Sequence, residues 1–197
     1  MISDTTTYRF NSRLRSGVQV GWHDLTSATT TIDASVKLTD GEGVLVSNSQ
    51  KEPIKLRFSG EVEVAPMSFA IPYNADGTGY SIFGNFTPVA ISIKDIRVLD
   101  SNKNVFDGTT YVSENKITIN KIKGNTPVIS DDTTYRFNSR LRSGVQVGWH
   151  NLTEATKTLD ASVKLEPGEA VLVSNSQKDT VYFQLLNPIT GNYEEIK

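Results

Sequence analysis

The sequence predicts an all-β protein, an antiparallel and sandwich-like architecture with an internally duplicated segment. Three observations predict it. Apolar and polar residues alternate with period two in many short runs, as they do in half-buried strands. Clusters of Asn, Asp, Gly and Pro separate these runs at intervals of about 8–12 residues, a spacing typical of β-sandwiches. One block of 46 residues also occurs twice in the 197-residue chain.

The duplicated block spans residues 6–51 and returns at residues 133–178, and seven of its 46 positions differ. Chance and convergence do not produce such identity, so the block is a duplication. Proteins built in this way usually do mechanical, adhesive or assembly work through stacked units. The expected divisions are a β half-module, segment A (1–60), and a β module (61–197) made of a unique segment B (61–131) and segment A′ (132–197).

Each copy of the block contains two runs with the pattern of strands, VQVGW and GVLVS or AVLVS, and the second run follows a Gly-containing turn. Because both copies share the alternation, the same face is expected to point inward in both. Tryptophan in an alternating strand belongs to a core more often than to a binding platform. The residues expected to be inward are Val18, Val20, Trp22, Val44 and Val46, together with Val145, Val147, Trp149, Val171 and Val173.

The alternation continues beyond the identical block, so each copy is expected to end in one more strand, around Leu56 and Phe183. In segment B, strands are expected over MSFAIPY, GYSIFGNF, VAISIKDIRVLD, TTYVS and ENKITINKI. The threonine-rich stretch after each tryptophan allows at most one helical turn.

Composition and charge exclude several classes of function. The net charge of −2 gives no basic face of the kind that nucleic acids require. Three arginines within seven residues occur in each copy and form a candidate site for phosphate or a carboxylated sugar, with a solvated strand face as the simpler interpretation. These arginines are Arg9, Arg13, Arg15, Arg136, Arg140 and Arg142.

Catalytic and metal chemistry find little support in the sequence. The chain has no cysteine, which excludes disulfides and thiolate sites, and its two histidines supply one per copy, too few for a zinc site. No nucleophile elbow or acid–base constellation is present, so we expect neither an enzyme nor a cofactor. The one metal candidate is a partial calcium loop formed by Asp100, Asn102 and Asn104. A hairpin turn explains these residues more simply, since Val105 and Tyr111 replace the loop's Gly and Glu.

The run GYSIFGNFTPVAISIKDI, followed downstream by LDASVKLEPGEAVLVSN, resembles β-rich repeat modules of large bacterial surface and extracellular proteins. In those modules a G-Y/W-x-I/L-x-G-N-x-x-P segment precedes a pGxgflV segment. The resemblance covers roughly residues 79–185, with Phe86-Thr87 standing where the pattern often has Pro followed by an aromatic residue. It implies a non-enzymatic β module at a cell surface or outside the cell, and it supplies no catalytic residues.

Three functions remain open at this point. The first is a structural, self-assembling repeat protein of a cell surface or extracellular filament, in which the orphan segment A pairs head-to-tail with a neighbouring molecule. The second is a carbohydrate-binding or adhesion module, and the third is a viral or phage fibre or coat protein. No apolar run approaches the ~20 residues of a membrane span. No signal peptide is present either, and we expect the chain to be a piece excised from a longer, secreted protein.

Overall fold

The computed structural model describes residues 7–12, 18–26, 29, 31–32, 36–37, 44, 46–56, 68–74, 80–107, 116–122, 133–139, 145–154 and 156–195. These residues form antiparallel β-strands with a 3₁₀ turn at Ile93–Asp95, so the all-β prediction is confirmed. The chain divides into two compact units, Met1–Thr39 and Asp40–Lys197. The division therefore falls inside segment A, before the boundary at residue 60 that the repeat pattern suggests.

Unit 1 contains a single described hairpin, formed by β1 (Tyr8–Asn11) and β2 (Gly21–Asp24). The strands pair antiparallel, with Phe10 directly opposite Trp22. Beyond β2, the backbone N–H of Ile32 donates to the Trp22 carbonyl at 2.9 Å. Gly21 has a φ of +145°, and a Cβ there would lie 3.2 Å from Thr31 Cγ2. Glycine is therefore required at this entry to β2.

Unit 2 contains ten strands in its described part. They are β3 (Ser68–Ile71), β4 (Ser81–Gly84), β5 (Ile91–Ser92), β6 (Arg97–Leu99), β7 (Ile117–Lys121), β8 (Thr134–Asn138), β9 (Gly148–Asn151), β10 (Lys164–Leu165), β11 (Ala170–Asn175) and β12 (Val181–Gln184). Strands are thus found over MSFAIPY, GYSIFGNF and ENKITINKI, as expected. The expected strand VAISIKDIRVLD is instead two short strands, β5 and β6, separated by the 3₁₀ turn, and TTYVS lies outside the described residues.

The two main sheets of unit 2 interleave strands from segments B and A′. A five-stranded sheet has the order β4-β11-β7-β8-β9, and a three-stranded sheet has the order β3-β12-β6. Strands β11 and β12, from segment A′, each lie between two strands of segment B. Neither segment can complete these sheets alone, because a central strand needs hydrogen-bonding neighbours on both edges.

Aromatic side chains from both sheets meet in the core of unit 2. Phe183 on β12 packs edge-on against Phe83 on β4 and Trp149 on β9, with ring centroids 5.6 Å apart in both pairs. The Trp149 indole N–H donates to the Ile96 carbonyl at 2.8 Å. The indole is thereby buried with its polar atom satisfied, as a core tryptophan requires. Around it lie Ile117, Ile119, Val171, Val173 and Val181, all buried.

The two copies of the repeat do not have the same burial, so the expected inward face is wrong for segment A. Val171, Val173 and Trp149 are buried and Val147 packs against the core, as predicted, whereas Val145 is half-buried. In segment A, Val18 is half-buried, and the exposed residues are Val20, Trp22, Val44 and Val46.

The two copies differ in their neighbouring strands and, after Lys51 and Lys178, also in sequence. The described residues between 44 and 56 form no strand, although their counterparts in segment A′ form β11 and β12. Those two strands are held by segment B on both sides. The alternation of segment A therefore marks an apolar face without creating the sheet that would bury it.

We expect Trp149→Ala to lower the free energy of unfolding of unit 2 by about 3–5 kcal/mol, because it removes a buried aromatic ring and its hydrogen bond. The matched change Trp22→Ala should alter the same transition by less than about 1 kcal/mol, since Trp22 is 38% exposed. Guanidinium unfolding followed by circular dichroism measures both. Equal losses in the two variants would contradict this assignment of the core.

Candidate assembly interface

Segment A presents an apolar surface whose counterpart is buried 127 residues later. Tyr8, Phe10 and Trp22, which we call the aromatic face, are 37%, 57% and 38% exposed. The same residues in segment A′, Tyr135, Phe137 and Trp149, are 8%, 4% and 1% exposed. Because the two hairpins have nearly the same sequence, the difference is one of surroundings. Exposed aromatic clusters of this kind mark interaction sites.

The aromatic face has its final geometry in segment A even though it is exposed. The rings of Phe10 and Trp22 lie 5.5 Å apart at 62°, and those of Phe137 and Trp149 lie 5.4 Å apart at the same angle. Pre-organised side chains of this kind reduce the entropy that binding must overcome. The hairpin is therefore a preformed half of an interface.

A polar network on the other side of the hairpin fixes this geometry. The Asn11 side-chain amide donates to the Gln19 carbonyl at 3.1 Å, and His23 Nε2 lies 2.9 Å from the same oxygen. A carbonyl only accepts hydrogen bonds, so Nε2 carries the proton and donates. The equivalent bonds from Asn138 and His150 to the Gln146 carbonyl measure 3.2 and 2.8 Å.

Both histidines are therefore structural. His23 and His150 are fully buried, and the Nδ1 atom of each has no hydrogen-bond partner among the described residues. Their buried rings support the strand from which the aromatic face projects. This local network explains why the hairpin forms in both copies of the repeat, whereas strands corresponding to β11 and β12 are found only in segment A′ among the described residues.

Segment A′ shows what covers an aromatic face of this sequence. Strand β7 pairs with β8, placing Ile119 opposite Tyr135. Phe106 lies 6.4 Å from Phe137, and Phe183 lies 5.6 Å from Trp149. The cover thus combines an added strand edge with aromatic and aliphatic side chains, most of them supplied by segment B. The described part of unit 1 provides no strand beside β1 other than β2.

The arginines predicted from the sequence do not join the aromatic face. Arg9 is exposed and pairs in register with His23, so it alternates with Phe10 and points to the opposite side of β1. Arg136 is half-buried opposite Thr118 of β7. The remaining four, Arg13, Arg15, Arg140 and Arg142, lie outside the described residues. Among the described residues, Arg9 therefore lies on the side of β1 opposite the aromatic face.

The calcium candidates form a tight turn after β6. Asp100 Oδ1 accepts the backbone N–H groups of Asn102 and Asn104 at 2.9 and 2.8 Å, and Oδ2 accepts the Asn104 amide at 3.2 Å. Lys103 takes a φ of 66°, and Leu99 bridges to Val105 across the turn. The Asp100 carboxylate is engaged in holding the backbone, which is the hairpin-turn interpretation. Among the described side chains, no group of three or more His, Cys, Asp or Glu residues could hold a metal.

The buried side chain of Asn175 joins segment A′ to segment B. No sequence pattern predicts this contact. The Asn175 side-chain amide donates to the carbonyls of Ile71 and Asp179, at 3.0 Å each. Its counterpart Asn48 donates only to the Glu52 carbonyl, at 3.1 Å. The bond within the repeat is present in both segments, and the bond to segment B is present in one. An asparagine between two strand patterns predicts a turn, and the pattern cannot show that the same side chain also bonds to a strand of another segment.

Comparison of the chain with protein-family models, curated proteins and solved structures gave no significant match. The interface is therefore interpreted from its own geometry. Within the part of the chain that the structure describes, no helix combines the length and apolar character needed to cross a membrane.

The turn after β2 provides a pH-dependent difference between the two hairpins. The hydroxyl and then the backbone N–H of Thr26 hydrogen-bond to the Asp24 carboxylate and lower the pKa of Asp24. Asn151 makes the same bonds to Thr153 without titrating. Since the folded pKa is depressed, the carboxylate stabilises the turn fully above the unfolded value of about 3.9. That contribution is lost as pH falls through the lowered pKa.

An NMR titration should therefore show the Thr26 amide shifting with a midpoint below about 3.9, while the Thr153 amide stays constant. Asp24→Asn should abolish the shift and keep the turn, because Asn already occupies this position in segment A′. A midpoint at or above the ordinary carboxyl value would contradict the assignment.

Proposed function

We propose that this chain is a non-enzymatic, structural repeat protein of a cell surface or extracellular filament. In this proposal segment A associates head-to-tail with a neighbouring molecule through β-strand pairing. The observation that carries the proposal is the burial of one sequence in two settings. Phe10 is 57% exposed, whereas Phe137 at the equivalent position is 4% exposed. Each phenylalanine nevertheless packs against its tryptophan at nearly the same distance and angle.

The pairing would use β1 together with the aromatic face. A strand edge supplies backbone hydrogen bonds, and adjacent aromatic side chains supply apolar area, which is the usual basis of strand addition. The contact would be heterologous, because segment A of one molecule meets a different surface of the next. Such contacts propagate into rings or filaments.

The chain's organisation supports the same function. A duplicated β segment is typical of proteins that work by stacking units. The resemblance of residues 79–185 to modules of bacterial surface proteins points to the same class and to the same location outside the cell. Viral or phage fibre proteins would share these features, so that class is retained as a lower alternative.

A glycan-binding or adhesion role is favoured by one observation, the exposure of Trp22 beside Phe10. Tryptophan faces stack on sugar rings in many binding modules. Against this role, the two rings meet edge-on at 62° and do not form a flat platform. The assembly function therefore accounts better for the same residues.

Light scattering across a concentration series tests the assembly proposal. The full chain should gain apparent mass with concentration, whereas a chain lacking residues 1–60 should remain monomeric. The double variant Phe10→Ser, Trp22→Ser should weaken association at least about tenfold, as expected for aromatic residues at an interface. Ile189→Ser is the matched control, because Ile189 is 72% exposed but lies in unit 2.

A full chain that is monomeric at every concentration would overturn the proposal. If the same double variant instead abolished binding to a glycan array, the aromatic face would be a sugar site. If Ile189→Ser weakened association as much as the double variant, the association would be a general hydrophobic effect and the proposed interface would be wrong.

A further inference from the structure

We infer that segment A binds, in trans, a polypeptide equivalent to strands β3–β7 that has no repeat copy of its own attached. The inference deepens the proposed assembly function and rests on it in one respect, since both take the aromatic face as an interface. It goes further by naming the occupant. The occupant follows from what the identical sequence binds in segment A′.

Strands of segments A′ and B interleave in unit 2. Strand β11 lies between β4 and β7, and β12 lies between β3 and β6. The described residues of segment A that correspond to these two strands are exposed. Val46, for example, is 51% exposed, whereas its counterpart Val173 is fully buried. A single added strand would leave the second half of segment A uncovered. An occupant that covers all of segment A must therefore supply several strands, arranged as in segment B.

Segment A already contains the local turn that connects β11 and β12 in segment A′. Asn48 Oδ1 accepts the Gln50 N–H at 2.9 Å, and Asn175 Oδ1 accepts the Gln177 N–H at 3.0 Å. In segment A′ the Asn175 amide also reaches the Ile71 carbonyl of β3. Asn48 is exposed and lacks that second acceptor. The missing acceptor is the carbonyl that ends a β3-like strand.

Simple exchange between folded copies of this chain would not complete segment A. Each molecule contains two repeat copies and one segment B, and segment A′ already occupies it. If segment A of one molecule replaced segment A′ on the segment B of another, the displaced segment A′ would lose the contacts that segment A gained. The exchange would therefore give no net gain in contacts.

The exchange would also pack less well. Leu56 stands where segment A′ has Phe183, which is fully buried against Phe83 and Trp149. A leucine in that space leaves a void. Segment A therefore fits a segment-B equivalent in which the positions of β11 and β12 are not already filled.

The test uses the full chain and, as probe, the polypeptide of residues 61–131 added in equimolar amount during refolding. The mixture then contains two segment-B equivalents for two repeat copies. We expect a 1:1 complex by light scattering. Hydrogen exchange of backbone amides at residues 44–56 should slow at least about tenfold, as it does when exposed strands become central. Peptides from the two copies are distinguishable because their sequences diverge after Lys51 and Lys178.

Two controls make the result specific. A probe carrying Ile117→Asp and Ile119→Asp, both fully buried on β7, should not bind. A chain lacking residues 1–60 should not bind the unmodified probe. Phe10→Ser with Trp22→Ser in the full chain should weaken the complex at least about tenfold.

The outcomes separate this inference from the proposed function. Binding with protection at residues 44–56 supports the inference even if the chain alone is monomeric, a result that would overturn head-to-tail self-association. Self-association of the full chain with no binding of the probe would overturn the inference and leave the proposed function standing. Protection of residues 44–56 in the dilute chain without probe would overturn both, because segment A would then be completed within its own molecule.

Discussion

The structure depends on the rule that a central β-strand needs a hydrogen-bonding neighbour on each edge. Strand β11 meets this condition between β4 and β7, and β12 meets it between β3 and β6. Both strands then turn their apolar side chains into one aromatic core around Phe183. The same rule explains the absence of strands in the described part of residues 44–56, where no such neighbours are paired. Where the two copies match in sequence, equal strand propensity does not guarantee equal surroundings, and beyond Lys51 and Lys178 the sequences themselves differ.

The repeat thus separates into a part that folds locally and a part that depends on segment B. The β1–β2 hairpin has its own support in the Gln19 carbonyl, the buried His23 and the bridge to Thr31. It therefore has the same ring geometry in both settings. In the described part of residues 44–56, the hydrogen bonds that the structure shows are those of the turn at Asn48. This division makes segment A a stable hairpin followed by an uncompleted pair of strands.

Much of the fold followed from the sequence, because alternation and turn residues report local structure. Most strands of segment B and the turn at Asp100 were predictable in this way, whereas the strands at Tyr8–Asn11 and Thr134–Asn138, which complete the two hairpins, were not expected. The interleaving of segment A′ with segment B was not, since pairing between distant strands leaves no local pattern. Trp22, one member of the aromatic face, was expected in the core but is 38% exposed. Alternation shows which side of a strand is apolar and cannot show whether anything lies against it.

Interleaving also dictates an order of events during synthesis. Ile71 of β3 pairs with Val181 of β12, so the three-stranded sheet cannot close until almost the whole chain has been made. At about 5–20 residues per second, synthesis of residues 132–197 takes roughly 3–13 s after segment B is complete. During that interval the duplicated block of segment A, which differs from its copy at seven of 46 positions, has already been synthesised. The duplication therefore places a sequence that closely matches β11 in the nascent chain before β11 itself has been made.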